Sequence, residues 1–277
     1  MAASLVIAAA QSPVSPDVGA NGAAIRQLIA EASAAGARLV VFCEGALSGY
    51  AKNQIERPED WLRFDWARQE AELAAIGALC AEQGIAAVIG GAHRFSDAYP
   101  PHNCLFVFGA DGRCIGRYDK RFLSHAELQG WYTPGTAPMV FEVSGYRFGC
   151  AICIECQFAD VFGEYEKSGV DAVLFGSYGL PEFFGIALRA HAGLNNIWIG
   201  AATPAQEAGK GAAGIVGPDG AWCARAPERA EPGLALARLD RSDPGYDVAL
   251  NKARPWRAKA RQGEIYREKL PRAGRKD

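Results

Sequence analysis

Hydrophobic and polar residues over the first ninety positions alternate between two kinds of pattern. Short apolar runs rich in Val, Ile and Leu are typical of buried strands, and longer stretches with apolar residues three and four positions apart are typical of helices. These patterns follow one another as strand, helix, strand, helix, strand over residues 5–10, 21–35, 38–42, 61–83 and 85–90. Gly36 and Gly84 follow the two helices, where glycine commonly ends a helix. The alternation predicts an α/β layered fold.

After residue 100 the pattern changes, because turn signals bring successive strands together as hairpins. A glycine-containing turn lies between the members of three predicted strand pairs, at 103–108 with 113–118, 141–143 with 146–152, and 214–216 with 234–239. Helices are predicted at 158–168 and 182–195, and further strands at 172–175 and 197–202. Helices that alternate with strands and are interrupted by hairpins favour two packed mixed sheets with helices outside.

Length, composition and charge exclude several classes of protein. A chain of 277 residues can bury a substantial core. The formal net charge of -2 gives no global reason to expect a nucleic acid or an anionic membrane as partner. No apolar run approaches the length of a membrane span. The first run lacks a basic flank and stops at Gln11, so we interpret it as a strand rather than a signal peptide and expect a cytoplasmic protein.

The last residues of the chain differ from the rest. Residues 1–250 contain no repeat, low-complexity tract or linker and are predicted to form one domain. Residues 251–277 are rich in Lys and Arg with few acids. Aromatic residues are sparse there and no binding module is present, so we expect a solvated tail or a subunit-contact arm rather than a nucleic-acid site.

The eight cysteines are too sparse for a disulfide scaffold, and free thiols are expected. Cys80, Cys104, Cys114 and Cys223 are predicted to be small buried hydrophobes. Cys150, Cys153 and Cys156 are spaced by three, which suggests either a metal cluster or a nucleophile with two neighbours.

The metal interpretation of this triplet is weak. A ferredoxin-type run needs a fourth cysteine followed by proline, and Asp160 and Val161 stand there instead. No histidine pair completes a zinc site. Cys150 and Cys153 would also point to opposite faces of a strand. We therefore predict no metal and no cofactor.

Three residues at predicted strand ends favour a catalytic site instead. Cys153 follows the strand 146–152, Glu44 follows 38–42 and Lys120 follows 113–118. Sites in α/β sheets assemble at strand ends, and a catalytic thiol needs a neighbouring base or cation. Each of the three residues alone is more often a surface charge or a core thiol. Together they predict a site that contains a carboxylate, an ammonium group and a thiol.

The order and spacing of these and other motifs resemble the nitrilase superfamily of carbon–nitrogen hydrolases over nearly the whole chain. The matching elements are Glu44 with Leu-Ser-Gly-Tyr at 47–50, Tyr-Asp-Lys…Leu at 118–123, Glu127 at the family's second glutamate, Gly…Ile-Cys-x-Glu at 149–155, Arg-Ala…Asn at 189–195 and the late hairpin at 211–220. Departures from the family's pattern occur at Ile154, Gln157, Ala159, Asp160, Leu194, Thr203 and Ala213. These changes put the substrate in question rather than the type of reaction.

The resemblance implies a fold and a mechanism. It implies a four-layer α-β-β-α sandwich of two mixed sheets, in a homodimer or larger homo-oligomer. Cys153 would attack the carbon of a small amide, with Glu44 as general base and acid, and water would cleave the resulting thioester. Lys120 and the backbone N–H of Ile154 would stabilise the oxyanion, and Glu127 would orient Lys120 or hold a substrate amine. We expect Lys120→Ala and Cys153→Ala to abolish turnover and leave the fold intact.

The resemblance leaves the pocket and the substrate open. Candidates for lining the pocket are Trp131, Tyr132, Tyr178, Phe183 and Phe184, and Cys156 could lie near its mouth. An amide is favoured over a nitrile, because nitrilases of this family usually have Trp where Ile154 stands. A carbamoyl substrate would be hydrolysed by the same catalytic residues. A non-catalytic regulatory member of the fold is the alternative from another class.

Overall fold

The computed structural model describes residues 4–267 and 269–270, and within them twelve strands build a mixed sheet that is flanked by helices. The strands are β1 (Leu5–Ser12), β2 (Leu39–Val41), β3 (Ala86–His93), β4 (His102–Phe108), β5 (Cys114–Asp119), β6 (Val140–Val143), β7 (Tyr146–Ile152), β8 (Ala172–Gly176), β9 (Trp198–Pro204), β10 (Gly214–Val216), β11 (Trp222–Arg225) and β12 (Gly233–Leu239). The α-helices are α1 (Val18–Ala34), α2 (Trp66–Gln83), α3 (Ala159–Lys167), α4 (Glu182–Asn195), α5 (Arg254–Gln262) and α6 (Glu264–Arg267). The predicted α/β class is confirmed.

The strands form two half-sheets that meet at a short junction. The first half-sheet has the order β5-β4-β3-β2-β1-β12, and the second has the order β6-β7-β8-β9-β10-β11. Three neighbouring strands are parallel in each half-sheet, β1 to β3 in the first and β7 to β9 in the second, and the outer strands are antiparallel. Only two residue pairs, Gln11 with Thr203 and Ser12 with Pro204, join β1 to β9.

Alternate residues of the second half-sheet enter two different hydrophobic clusters. Leu174 of β8 packs in a cluster that also contains the side chains of β1 to β4, whereas Val173 and Phe175 pack with Phe162 of α3 and Leu188 of α4. This is the two-residue period of a strand that is buried on both faces. Complete burial of one such side chain stabilises the fold by about 1.5–3 kcal/mol.

The helix predicted over 61–83 begins later than expected. Residues Pro58–Arg63 form a separate 3-10 helix, and α2 begins only at Trp66. Asp65 caps it, because its side chain accepts the backbone N–H of Arg68. At the other end Gly84 closes the helix, as the sequence predicted, and adopts a left-handed conformation.

The last predicted hairpin has a different partner. The turn at residues 218–220 joins β10 to β11, a strand that the sequence did not predict, and β12 instead runs antiparallel to β1 from Leu5 to Gln11. The strand β11 has four residues and lies at a sheet edge, so its apolar pattern is too short to detect.

The prediction that Cys114 and Cys223 are buried is wrong, because both lie exposed on the outer strands β5 and β11. Cys80 and Cys104 are buried, as predicted.

The described part of the basic arm lies against its own chain. Arg257 of α5 donates to the carbonyls of Gly193 and Leu194 at the C-terminal end of α4, and Arg261 pairs with Glu166 of α3. A cation at a helix C-terminus is favourable, because the last carbonyls there have no partner within the helix. Residues 268 and 271–277 of the predicted arm lie outside the described residues. Among the described helices, none has both the length and the apolar content that a membrane crossing requires.

Candidate active site

Glu44 lies on the loop that follows β2, where two neighbouring strands confine the backbone. A Cβ atom at Gly90 of β3 would stand 1.8 Å from the carbonyl oxygen of Cys43, so only glycine fits there. The Glu44 side chain is completely buried. One carboxylate oxygen accepts from Lys120 Nζ at 2.8 Å and from Asn103 Nδ2 at 2.7 Å, and the other accepts the backbone N–H of Tyr178 at 3.0 Å.

Lys120 follows β5 and places its ammonium group between two carboxylates. Its backbone N–H donates to the carbonyl of Asn103, which continues the pairing of β4 with β5. Its Nζ lies 2.8 Å from Glu44 Oε1 and 2.7 Å and 2.9 Å from the two oxygens of Glu127. Asn103 Nδ2 also reaches Glu127, at 3.2 Å. We call Glu44, Lys120, Glu127 and Asn103 the charged cluster.

The two carboxylates of the charged cluster differ in pKa. Burial raises the pKa of Glu44 above its usual value, although Lys120 opposes that shift. Burial also acts to raise the pKa of Glu127, but the charge and hydrogen bonds of Lys120, together with hydrogen bonds from Ser124, outweigh it and the pKa is lowered. Burial acts to lower the pKa of Lys120, and the negative charges beside it raise the pKa nevertheless. Glu127 is therefore the better counter-ion of Lys120, and Glu44 is the group better able to take up a proton.

Cys153 begins a short 3-10 helix, Cys153–Gln157, directly after β7. Its φ of 51° lies in the left-handed region, which costs a non-glycine residue energy and is common at functional sites. Burial and the nearby Glu44 charge raise the pKa of its thiol, while Lys120 and a hydrogen bond with Ser177 lower it. This direction of the pKa favours the protonated thiol, so its use as a nucleophile requires a base.

The predicted pocket residues lie in different places. Tyr178 lies beside Glu44, and its ring stacks on that of Tyr50 at 5.0 Å between centroids. Its hydroxyl accepts from Gln54 Nε2 at 2.7 Å. Trp131 and Tyr132 lie in a buried cluster against which Tyr50 packs, and the ring of Tyr50 stacks on that of Tyr132 at 6.4 Å between centroids. On α4, Phe183 is exposed and Phe184 packs in the core with the side chains of α3 and β8.

The remaining predicted residues surround the nucleophile. Ile154 is the second residue of the 3-10 helix, where backbone N–H groups have no partner within the helix. Cys150 and Cys156 are both buried, so Cys156 does not lie at a pocket mouth. Among the described residues, no group of three or more His, Cys, Asp or Glu could hold a metal ion.

The sequence did not identify two residues of the site. Asn103 binds both carboxylates of the charged cluster, and Tyr50 donates its hydroxyl to Glu127 Oε1 at 3.3 Å. Asn103 could have been predicted from the sequence only as a single polar amide at the start of the apolar run 103–108. Tyr50 could have been predicted from its position in the same motif as Glu44.

Known proteins resemble this chain in both sequence and fold. A family model described as carbon–nitrogen hydrolase matches residues 6–245. The omega-amidase NIT2 of Bos taurus is 26% identical over 192 residues, 65% of this chain and 67% of that protein. The N-carbamoylputrescine amidase of Arabidopsis thaliana is 24% identical over 98% of this chain and 96% of that protein.

A solved structure of an amidase of the nitrilase superfamily from Nesterenkonia AN1 has a similar fold. It superposes with a TM-score of 0.77 at 23% identity and covers 96% of this chain and 97% of that chain. The resemblance that the motifs predicted is confirmed, because the family model covers nearly the whole sequence. The chain therefore belongs to the carbon–nitrogen hydrolase family, and this membership indicates hydrolase activity.

Proposed function

We propose that this protein hydrolyses a non-peptide C–N bond of a small amide through a thioester on Cys153. The observation that carries the proposal is the charged cluster, which combines a buried base, an ammonium group and a counter-ion, with charges that act on the Cys153 thiol. The relatives give further support. One mutant of the Nesterenkonia amidase carries the acetamide moiety of fluoroacetamide on its active-site cysteine, and another mutant, in which that cysteine is replaced by alanine, binds butyramide.

In the first half-reaction, Cys153 Sγ forms a bond to the amide carbon while its proton passes to Glu44. The raised pKa of Glu44 suits this transfer, because a base works best when its pKa lies near the working pH. The C–N bond then breaks, and Glu44 gives the proton to the leaving nitrogen. Ammonia or an amine departs and the acyl group remains on sulfur as a thioester.

In the second half-reaction, water attacks the thioester carbon and gives a proton to Glu44. The C–S bond breaks, the carboxylic acid departs and the proton returns to the thiolate of Cys153. Lys120 and the Ile154 N–H stabilise the oxyanion in both steps, and one such donor typically contributes about 2.7–4 kcal/mol. In this scheme Glu127 keeps Lys120 charged and directed at the oxyanion, and Tyr178 and Trp131 belong to the substrate-binding surroundings.

A carbamoyl substrate is the second candidate. The relative that matches 98% of this chain is named N-carbamoylputrescine amidase. A carbamoyl group also presents an amide carbon to Cys153, so the same groups suffice. The experiment that follows distinguishes amide and carbamoyl hydrolysis from nitrile hydrolysis and from a purely regulatory role.

An ammonia-release screen tests the proposal. It compares small amides, ω-amides, N-carbamoyl amino acids and nitriles, with the Cys153→Ala variant as control. We expect release from amides by the wild type and none by the variant. Release from nitriles alone would change the substrate class. A wild type without activity on any of these compounds, or a Cys153→Ala variant with near-normal rates, would refute the proposed function.

The assembly is a further part of the proposal. We propose that the half-sheets are the inner layers of a four-layer α-β-β-α sandwich, that residues 1–250 form the hydrolase domain, and that the arm 251–277 takes part in a homodimer or larger homo-oligomer. The exposed side chains of Leu194 and Trp256 lie on the face where the arm meets α4. The free cysteines suit a reducing cytoplasm. Gel filtration of a chain that ends at Leu250 should give a smaller species, and an unchanged oligomer would count against the arm.

A further inference from the structure

A second buried carboxylate, Glu155, lies two residues after the proposed nucleophile and outside the charged cluster. Its side chain is completely buried. One oxygen accepts the backbone N–H groups of Arg121 at 2.7 Å and Phe122 at 3.1 Å, and the other accepts the N–H of Ile152 at 2.7 Å. The hydroxyl of Tyr118 lies 2.8 Å and 2.9 Å from the two oxygens.

This carboxylate is held by dipoles and not by an ion pair. The nearby guanidinium of Arg121 donates to Glu164 at 2.7 Å and to the Tyr118 hydroxyl, and it forms no hydrogen bond or ion pair with Glu155. Burial raises the pKa of Glu155, and its hydrogen bonds oppose that shift. A buried carboxylate without a cation is costly unless its oxygens are fully hydrogen-bonded. The hydrogen bonds around Glu155 meet that requirement.

The donors to Glu155 come from two separate segments of the proposed site. Arg121 and Phe122 directly follow Lys120, and Ile152 directly precedes Cys153. Lys120 and Cys153 are therefore each one residue away from a backbone hydrogen bond to the same carboxylate. The Ile152 bond also holds the backbone immediately before the left-handed conformation of Cys153.

We propose that Glu155 is a positioning residue that sets the geometry between Lys120 and Cys153, by joining the segment after β5 to the turn after β7. This inference rests on the proposed function, in which Lys120 binds the oxyanion that forms when Cys153 attacks. Glu155 itself does not touch the reacting atoms. Its effect is on how well the ammonium group and the sulfur are aligned.

The variant that tests this is Glu155→Gln, which keeps the size of the side chain and turns one oxygen into an amide that faces N–H donors. We expect kcat to fall about 100-fold, as a misplacement of about 1 Å does, with little change in KM. Glu155→Asp, which keeps the charge, should recover part of kcat. The matched control is Glu72→Gln, because Glu72 is also buried but pairs with Arg26 and Arg68 between α1 and α2.

A second measurement separates this inference from the proposed function. The rate of alkylation of Cys153 by iodoacetamide needs no substrate turnover, and mass spectrometry follows it in a Cys114→Ser, Cys223→Ser background because those two thiols are exposed. We expect alkylation to slow in Glu155→Gln and not in Glu72→Gln. If the wild type hydrolyses no compound in the screen, the proposed function fails, and the alkylation rates still decide the role of Glu155.

A purely structural role predicts a different result. Glu155→Gln would then lower the Tm as Glu72→Gln does, while kcat per folded molecule and Cys153 alkylation stayed at wild-type values, and that outcome would overturn the inference. If Glu155→Gln does not fold, Tyr118→Phe replaces it, because it removes one donor and leaves the backbone N–H groups in place. For that variant we expect an about fivefold fall in kcat, and an unchanged kcat would equally overturn the inference.

Discussion

The charged cluster and the turn around Glu155 both bury carboxylates completely, but they stabilise them in opposite ways. In the charged cluster one ammonium group, Lys120, serves two carboxylates, and most of the contacts are between side chains. Around Glu155 there is a single carboxylate without a cation, and most of its donors belong to the backbone. The charged cluster is stabilised by opposite charges, and Glu155 is stabilised by backbone hydrogen bonds.

This difference indicates which carboxylate can take part in proton transfer. The pKa of Glu44 is raised and that of Glu127 is lowered, although both bind the same ammonium group. Environments that separate two pKa values in this way are typical of acid–base assignments. Protonation of Glu155 would weaken hydrogen bonds from two chain segments at once, so that carboxylate is suited to hold a position.

The largest effect, a loss of stability, should come from Lys120→Ala, which removes the ammonium group at the centre of the charged cluster. It leaves Glu44 and Glu127 buried without their cation, and loss of one partner of a buried ion pair costs about 3–5 kcal/mol. From the sequence alone we expected this variant to keep its fold, and the burial of Lys120 leads us to predict in addition a marked loss of stability. Urea denaturation at neutral pH measures the loss. Cys153→Ala is the control, since it removes no charge, and equal stability of the two variants would contradict the prediction.

An effect of intermediate size should appear in the pH dependence of kcat/KM, which the charged cluster should determine. A general base must be ionised, so kcat/KM should rise with pH through the pKa of Glu44, at a higher pH than for an ordinary glutamate. The Asn103 amide lowers that pKa, so Asn103→Ala should move the rise to higher pH. Measurement of kcat/KM from acid to neutral pH checks both statements. A shift to lower pH in Asn103→Ala would exclude Glu44 as the group that titrates.

The smallest effect should come from Tyr50→Phe, at the edge of the charged cluster. The variant loses only a long hydrogen bond of 3.3 Å to Glu127, and the ring can keep its stacking on Tyr178. We expect a loss of stability of at most about 1 kcal/mol and a small change in kcat/KM. Thermal unfolding and the amide assay measure the two quantities. A loss as large as that of Lys120→Ala would show that the hydroxyl is essential to the cluster.

The sequence predicted the residues of the two arrangements unequally. Of the charged cluster, Glu44 and Lys120 could be predicted because each follows a clear apolar strand and matches a motif of the family, as Cys153 does, and Glu127 could be predicted from the family motif alone. Asn103 could not, since its role depends on the register that places the start of β4 beside the end of β5. The role of Glu155 was also hidden, because most of its partners are backbone N–H groups that carry no sequence signal. The strand β11 was missed for its shortness.

The short junction between the half-sheets has a consequence for folding kinetics. Glu44 contacts Lys120, 76 positions away in the chain, and the backbone of Tyr178, 134 positions away. Glu44 follows a strand of the first half-sheet, and Cys153 follows a strand of the second. Contacts between residues so distant in sequence form slowly, because the intervening chain must first be ordered. The site is complete only when both half-sheets are in place, and their strands are hydrogen-bonded to each other at only two residue pairs, between β1 and β9. In refolding experiments the recovery of hydrolysis should therefore follow the recovery of the far-ultraviolet circular dichroism signal.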